Sequence, residues 1–329
     1  MAISFDTDPL GSILEYGHLH KTKDAQGRQA WETANINGMV GQSPWLGYCI
    51  HEHQLIEALG AGRGHARVQP DVRRVLTELR TKHLIEPYTQ DSNQATEWLE
   101  ITALGSELVQ TDSHREYLHG MKYVVKRWRS SVFMIYPKNG EANIGTGFLI
   151  RPDRVATARH IPDQLIDFEI ATEDGTVLPH RRVLVLPSKD IDVAVIELAQ
   201  PANGMQPMRL TEEVGVLDDL VVMGYPPVAK TDGPYLLANK GEITATVKRY
   251  DKNAADLLMS SLLRGGYSGG PAVNHRGNVV GVMAENLYRQ IEESNQDRNA
   301  ALGIAAATRV CYLKDILAGK GEEWQPGSK

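Results

Sequence analysis

The sequence predicts two domains, an α+β N-terminal third and an all-β C-terminal part that closes on a helix. Three observations carry this. The chain has 329 residues, beyond the size at which a single hydrophobic core usually stops growing. From Ser131 onward, short runs rich in Val, Ile, Leu and Thr recur between Gly, Pro, Asp and Asn, as strands do in a sandwich or barrel. Charge is also uneven: residues 1–125 hold 11 Lys/Arg against 16 Asp/Glu and eight of the 11 histidines, leaving the rest close to neutral. The join is expected near residue 130, with a first domain over 1–112, a connecting helix over 113–129 and a second domain over 130–329.

In the first domain, Pro70 and Asp71 open a segment whose Val72, Val75, Leu76 and Leu79 share one face, the spacing of an amphipathic helix. The opposite face carries Arg73, Arg74, Thr77, Arg80 and Thr81. His83–Tyr88 and Thr96–Thr102, separated by the polar turn Asp91–Gln94, read as a two-stranded hairpin, and Ala103–Val109 as a short helix. Over roughly residues 50–110 this order resembles a winged helix-turn-helix, with RVLTELRTKHLIE and WLEITALGSELV in the places of recognition helix, wing and exit. The resemblance offers two uses: nucleic-acid contact through Arg63, Arg67, Arg73, Arg74, Arg80 and Lys82, or docking of a regulatory protein. The acidic balance of residues 1–125 favours the protein partner, because sequence-independent nucleic-acid affinity comes from cations that neutralise phosphates. Ser113 and Glu116 make a capping box, and Tyr117, Met121, Val124, Val125 and Trp128 follow at helical spacing, so the connection is expected to be helical.

In the second domain the expected strands are Ser131–Tyr136, Gly145–Ile150, Val183–Val185, Val193–Leu198, Leu220–Met223, Glu242–Val247, Leu257–Ser261 and Asn278–Met283. Arg309–Ala318 is expected to be the closing helix, with Gly319 after it. Hydrophobic residues at 42% and charged residues at 23% exclude collagen-like, coiled-coil and wholly disordered chains. The acidic start lacks the basic and apolar stretches of a secretory signal, and no apolar run reaches the roughly 18 residues of a membrane span. Cys49 and Cys311 stand far apart, so no disulfide framework is expected and a reducing, cytoplasmic setting fits. Cys49, His51 and His53, with His18 and His20, lack the paired spacing of structural zinc sites. They read as ordinary polar or core residues, and neither metal nor cofactor is expected.

Three segments carry chemistry: Ala156-Thr-Ala-Arg-His160, Asp190-Ile-Asp192-Val-Ala-Val-Ile and Arg264-Gly-Gly-Tyr-Ser268-Gly-Gly-Pro. Hydrolysis by a serine nucleophile needs a base for the hydroxyl proton, a carboxylate to orient that base and N–H donors for the oxyanion. The sequence offers a residue for each role. The glycines flanking Ser268 permit a tight turn, with the N–H groups of Gly266 and Ser268 as oxyanion donors. Asp190 and Asp192 compete for the acid, and only Asp192 abuts the apolar strand. The order His, Asp, Ser, at spacings of 32 and 76, separates this arrangement from the subtilisin and α/β-hydrolase orders.

GTGFLI, TARHI, DVAVI, GYSGGP, GNVVGV and LGIAAAT, in this order over about residues 130–318, resemble the trypsin-like serine peptidases, and among them the HtrA type. The resemblance implies a chymotrypsin-like pair of six-stranded β-barrels. It makes His160 the general base, Asp192 its orienting acid and Ser268 the nucleophile of an endopeptidase acting on protein. It puts the specificity pocket at Leu262, Ala284, Glu285 and Asn286. Leu262 stands six before the serine, where trypsins place an aspartate, so an aliphatic or small residue is expected at the cleavage site. Two departures stand out: little chain is left for the PDZ domain that periplasmic members carry, and the disulfides of secreted members are missing. The expected whole is a cytoplasmic, bacterial-type serine endopeptidase governed through its N-terminal module, with a DNA-binding regulator as the alternative.

Overall fold

The computed structural model describes residues 10–11, 13–14, 49–51, 65–87, 98–138, 145–165, 167–231, 233–248, 254–261, 265–291 and 298–325. The chain divides into two compact units, residues 1–119 and 120–329.

In the first unit, β1 (Cys49–His51), β2 (Ile85–Pro87) and β3 (Trp98–Ile101) form an antiparallel sheet in the order β1-β3-β2. The expected hairpin is therefore part of a three-stranded sheet, with β1 added on the other edge of β3. Helix α1 (His65–Thr81) begins five residues before the expected start, with Pro70 inside it. Val75, Leu76 and Leu79 of α1 are buried with Leu84, Ile85, Leu99, Ile101 and Leu108, as their spacing predicts. Arg73 and Arg74 are exposed, and Arg80 and Lys82 half-buried. Helix α2 (Ala103–Gln110) is capped by Thr102, whose hydroxyl accepts the Gly105 N–H at 3.1 Å and donates to the His83 carbonyl at 2.8 Å.

The continuous connecting helix expected over 113–129 is instead two helices, α3 (His114–His119) and α4 (Met121–Trp128), separated at Gly120 with φ of 69°. Ser113 does not cap: its hydroxyl donates to the Thr111 carbonyl at 3.3 Å. The break coincides with the boundary between units. Leu118 of α3 joins the first unit's core, whereas Val124 and Trp128 of α4 pack with Phe148, Met223 and Tyr225 in the second.

The second unit holds two β-structures. The first comprises β4 (Val132–Pro137), β5 (Gly145–Arg151), β6 (Arg154–Thr157), β7 (Phe168–Ala171), β8 (His180–Val185) and β9 (Ala194–Leu198). The second is β10 (Asp219–Gly224), β11 (Leu237–Lys248), β12 (Ala255–Met259), β13 (Pro271–Asn274), β14 (Val279–Ile291) and β15 (Arg298–Arg309), a closed barrel in the order β10-β11-β12-β15-β14-β13. A short helix α5 (His160–Gln164) follows β6. Helix α6 (Cys311–Asp315) follows β15, continues through a wider turn over Ile316–Lys320, and leads to β16 (Glu322–Glu323). No described helix is long and apolar enough to cross a membrane.

Among the described residues, only the second of the two implied six-stranded barrels is closed by continuous ladders. The first is a seven-stranded sheet, β16-β8-β9-β6-β5-β4-β7, with the tail strand added on β8. Its other end is drawn in by the Ala171–Val177 bridge and the Leu178 N–H donating to Ile170 at 2.8 Å.

Alternation of side chains explains why these strands read as unbroken apolar runs. Phe133 and Ile135 of β4 enter the first structure's interior, while Val132 and Met134 point to the layer between the two. Leu220 and Val222 of β10 fill the closed barrel, and Val221 and Met223 face the shared layer. A strand covered on both faces needs apolar residues at every position.

Candidate active site

Strand β6 ends at Thr157, and three residues later His160 opens α5, with Pro162 at the third helical position, where its missing N–H costs nothing. Asp192 ends the loop from β8 and precedes β9. Its carboxylate grips His160 twice: Oδ1 accepts the backbone N–H at 3.0 Å and Oδ2 lies 2.8 Å from Nδ1. This double contact sets the imidazole's orientation and leaves Nε2 as the other ring nitrogen. Of the two acids that competed in sequence, the carboxylate holding His160 in this way is Asp192, which is partly buried, while Asp190 is exposed.

Arg159, buried beside His160, ties the same two segments together. Its Nη1 donates to the carbonyls of Leu186 at 2.8 Å and Ser188 at 3.1 Å, both in the loop that carries Asp192. Nε stands 3.6 Å from Asp163 of α5. Asp163 in turn accepts the indole N–H of Trp324 at 2.6 Å, which fastens the tail to the same helix.

Ser268 lies in a pair of turns before β13. The Gly266 and Gly269 φ angles are 98° and 81°, in the region that side chains disfavour. A Cβ on Gly269 would stand 2.1 Å from the Thr146 carbonyl oxygen, 2.3 Å from Thr157 Oγ1 and 2.8 Å from Ile161 Cδ1. The serine turn is thus packed on the ends of β5 and β6 and on the residue next to His160. The Ser268 hydroxyl donates to the Ala284 carbonyl at 3.3 Å. Ala284 lines a cavity of about 380 Å³ together with Arg159, His160, Asp163, Lys189, Asp190 and Asp192.

Four hydrogen bonds on Thr146 hold the turn. Its N–H donates to the Ser268 carbonyl at 2.9 Å, and its hydroxyl donates to the Gly266 carbonyl at 2.6 Å while accepting the Tyr225 N–H at 3.0 Å. Its carbonyl accepts the Thr157 hydroxyl at 2.7 Å. Tyr225 is itself fully buried, with its phenol donating to the Val132 carbonyl at 3.1 Å, and burial pushes that phenol's pKa well up. The N–H groups of Gly266 and Ser268 have no partner among the described residues.

The other expected site residues divide into two groups. Ala284 lines the cavity, but Leu262 lies outside the described residues, and for Glu285 and Asn286 only the backbone is described, paired with Ala306 and Ala305 of β15. Cys49 and His51 sit in β1, His18, His20 and His53 lie outside the described residues, and no metal-holding group occurs among those described. Sequence reasoning missed Thr146, Thr157, Arg159, Tyr225 and Trp324. The two threonines sit inside motifs that were noticed, GTGFLI and TARHI, but a threonine in a strand ordinarily signals β-propensity alone.

Residues 145–282 match the family model described as Trypsin-like peptidase domain. The chain is 27% identical over 157 residues to Protease Do-like 2, chloroplastic, of Arabidopsis thaliana, covering 46% of this chain and 25% of that protein. It is 23% identical over 199 residues to the Putative serine protease HhoB of Synechocystis sp., covering 55% and 45%. The chain thus spans less than half the length of these curated relatives. Among solved structures, it is similar to the Rv3671c protease of M. tuberculosis H37Rv in an inactive form, at 22% identity, 60% of this chain, 93% of that one and a TM-score of 0.46. A serine endoprotease from Yersinia pestis gives 18%, 60%, 65% and 0.47.

The second unit is thus an all-β pair of barrel-like halves followed by a C-terminal helix, and residues 145–282 within it are similar to a trypsin-like peptidase domain.

Proposed function

We propose that the chain is a serine endopeptidase in which Ser268 is the nucleophile, His160 the general base and Asp192 the acid that orients it. The observation that carries this reading is the double grip of Asp192 on His160, beside a cavity whose Ala284 carbonyl receives the Ser268 hydroxyl. In the reaction, the hydroxyl turns from Ala284 toward His160 Nε2, gives up its proton there and attacks the peptide carbonyl carbon. The oxyanion is received by the N–H groups of Gly266 and Ser268. The histidine returns its proton to the leaving amine, and a water deprotonated by the same base then releases the acyl group. Asp192 remains ionised and stabilises the imidazolium.

Leu262 supports a preference for an aliphatic or small residue at the cleaved bond. The element order α1, β2, β3 and the sheet order β1-β3-β2 support a winged-helix-like reading of the first unit, which we assign to docking a regulatory protein inside the cell. Exposed Arg73 and Arg74 on α1 favour the class-different reading of a DNA-binding regulator, but the 11 basic against 16 acidic residues of 1–125 weigh against it. Labelling with a fluorophosphonate probe tests the enzymatic reading: the full chain is expected to label, Ser268→Ala not at all and His160→Ala far more slowly. An unlabelled wild type removes it.

A further inference from the structure

We propose that Thr146 is a positioning residue for the oxyanion site, its hydroxyl setting the direction of the amides around Ser268. The inference rests on Ser268 being the nucleophile.

A hydroxyl has one proton and two lone pairs. The Tyr225 N–H can only donate, so it occupies a lone pair of Thr146 Oγ1, and the hydroxyl proton is left for the Gly266 carbonyl at 2.6 Å. The Thr146 N–H meanwhile holds the Ser268 carbonyl at 2.9 Å. The peptide planes on either side of the Tyr267–Ser268 peptide are thus both pinned to one residue of β5. The plane between them is fixed by the Gly270 N–H donating to the Tyr267 carbonyl at 2.9 Å. The N–H groups of Gly266 and Ser268 belong to the two peptides that flank the plane held by the Thr146 hydroxyl, and among the described residues they have no partner. Gly266, at φ of 98°, also stands where a Cβ would lie 2.5 Å from the Tyr225 carbonyl oxygen, so its place in the turn admits only glycine.

The same hydroxyl joins the two β-structures. Thr146 belongs to β5 of the first, whereas Tyr225 follows β10 and Gly266 precedes β13 in the second. Thr146 is fully buried, so water cannot replace a lost bond. Without the hydroxyl, the Gly266 carbonyl and the Tyr225 N–H are both stranded, and the Gly266–Tyr267 peptide loses the bond that fixes it. Preorganised donors lose catalytic value once they must be reoriented during the reaction.

The test uses the full chain and a fluorophosphonate probe. In the labelling step a bond forms between Ser268 Oγ and phosphorus, the P–F bond breaks, fluoride leaves, the hydroxyl proton passes to His160, and the phosphoryl oxygen sits where a substrate oxyanion would. Thr146→Val keeps the shape and removes the hydroxyl; Thr146→Ser keeps the hydroxyl and removes the methyl. The maximal labelling rate of Thr146→Val is expected to fall by about 10- to 100-fold with the half-saturating probe concentration unchanged, and Thr146→Ser to stay within about threefold of wild type. Thr146→Cys, which retains volume and a weak donor, is expected between the two and serves if the valine variant does not fold. A purely structural role would lower the melting temperature and leave the maximal rate of the folded protein intact. Equal rates for the variants lacking the hydroxyl and the wild type, or a serine variant as slow as the valine one, overturn the inference. Failure of the wild type to label overturns the reading of Ser268 instead.

Discussion

Asp192 meets His160 at both its backbone N–H and its Nδ1, so one carboxylate fixes where the residue sits and how its ring faces. Asp192→Asn would offer a neutral amide to the same contacts, favouring the wrong tautomer and removing the charge that stabilises the imidazolium. Fluorophosphonate labelling and casein hydrolysis by Asp192→Asn are expected to fall by about 10⁴-fold, with the melting temperature little changed. A loss below about tenfold would mean that another acid does this work. The residues proposed for the reaction were legible in sequence because each stands in a short motif whose composition follows from chemistry: a Gly-flanked serine, a histidine after a strand, an acid before one. Arg159 was not. An arginine before a histidine carries no pattern, and its function as a clamp depends on carbonyls of Leu186 and Ser188, more than 25 positions away.

Strands and helices act here through the charges and tails they bring together. Glu197 of β9 is almost buried on the first β-structure and faces Arg154, Arg181 and Arg182. The hydrogen bond from Arg182, with the charges of Arg154, Arg182 and Arg181, holds its carboxyl below the usual range. A carboxyl whose folded pKa lies below its unfolded value of about 4.3 stabilises the fold above that pH and loses this contribution as the pH falls through the folded pKa. Glu197→Gln is therefore expected to melt below wild type at pH 7, with the gap shrinking at about pH 3 to 4. Melting curves at the two pH values check it. The tail supplies a second element-scale test. Trp324 donates to Asp163 from its indole and to Val183 from its backbone N–H at 2.8 Å, as the chain leaves β16. Trp324→Phe keeps the backbone bond and removes the indole donor, so a loss of about 1 kcal/mol in denaturant unfolding is expected. Strand positions were read well wherever both faces are buried, since the apolar run is then continuous. β7, β13 and β16 were missed because they have two to four residues each, too few to show a period, and the longer β15 because its run is rich in Ala, Gly and Asn, which are depleted in strands.

At the scale of the whole molecule, the first unit closes its own apolar cluster from Leu10 to Leu118, while every buried residue of the three remaining clusters lies beyond Gly120. A chain of residues 120–329, which keeps α4 and all three clusters, is expected to fold and to label at Ser268, with a maximal rate within about threefold of the full chain in the absence of a partner, since the bonds that hold Asp192 to His160 and Thr146 to Gly266 all join residues beyond 120. Starting instead at residue 130 removes Val124 and Trp128 from the core, and buried large side chains each contribute about 3 to 5 kcal/mol when lost. Mass-spectrometric mapping of the labelled peptide, with melting curves for both fragments, checks this.

The sequence by itself determined the two-part organisation, the β-rich character of the second unit, and the His160, Asp192 and Ser268 motifs in their order. These properties are written locally, in composition, period and short runs around each residue. Only the tertiary structure decided that the connecting helix breaks at Gly120 and that the tail becomes a strand of the first sheet. It alone brought Thr146, Tyr225 and Gly266 onto one hydroxyl. The physical reason is that a buried hydrogen bond is satisfied by whichever partner packing presents, and the bond from Thr146 to Gly266 spans 120 positions of chain, across which no local pattern extends.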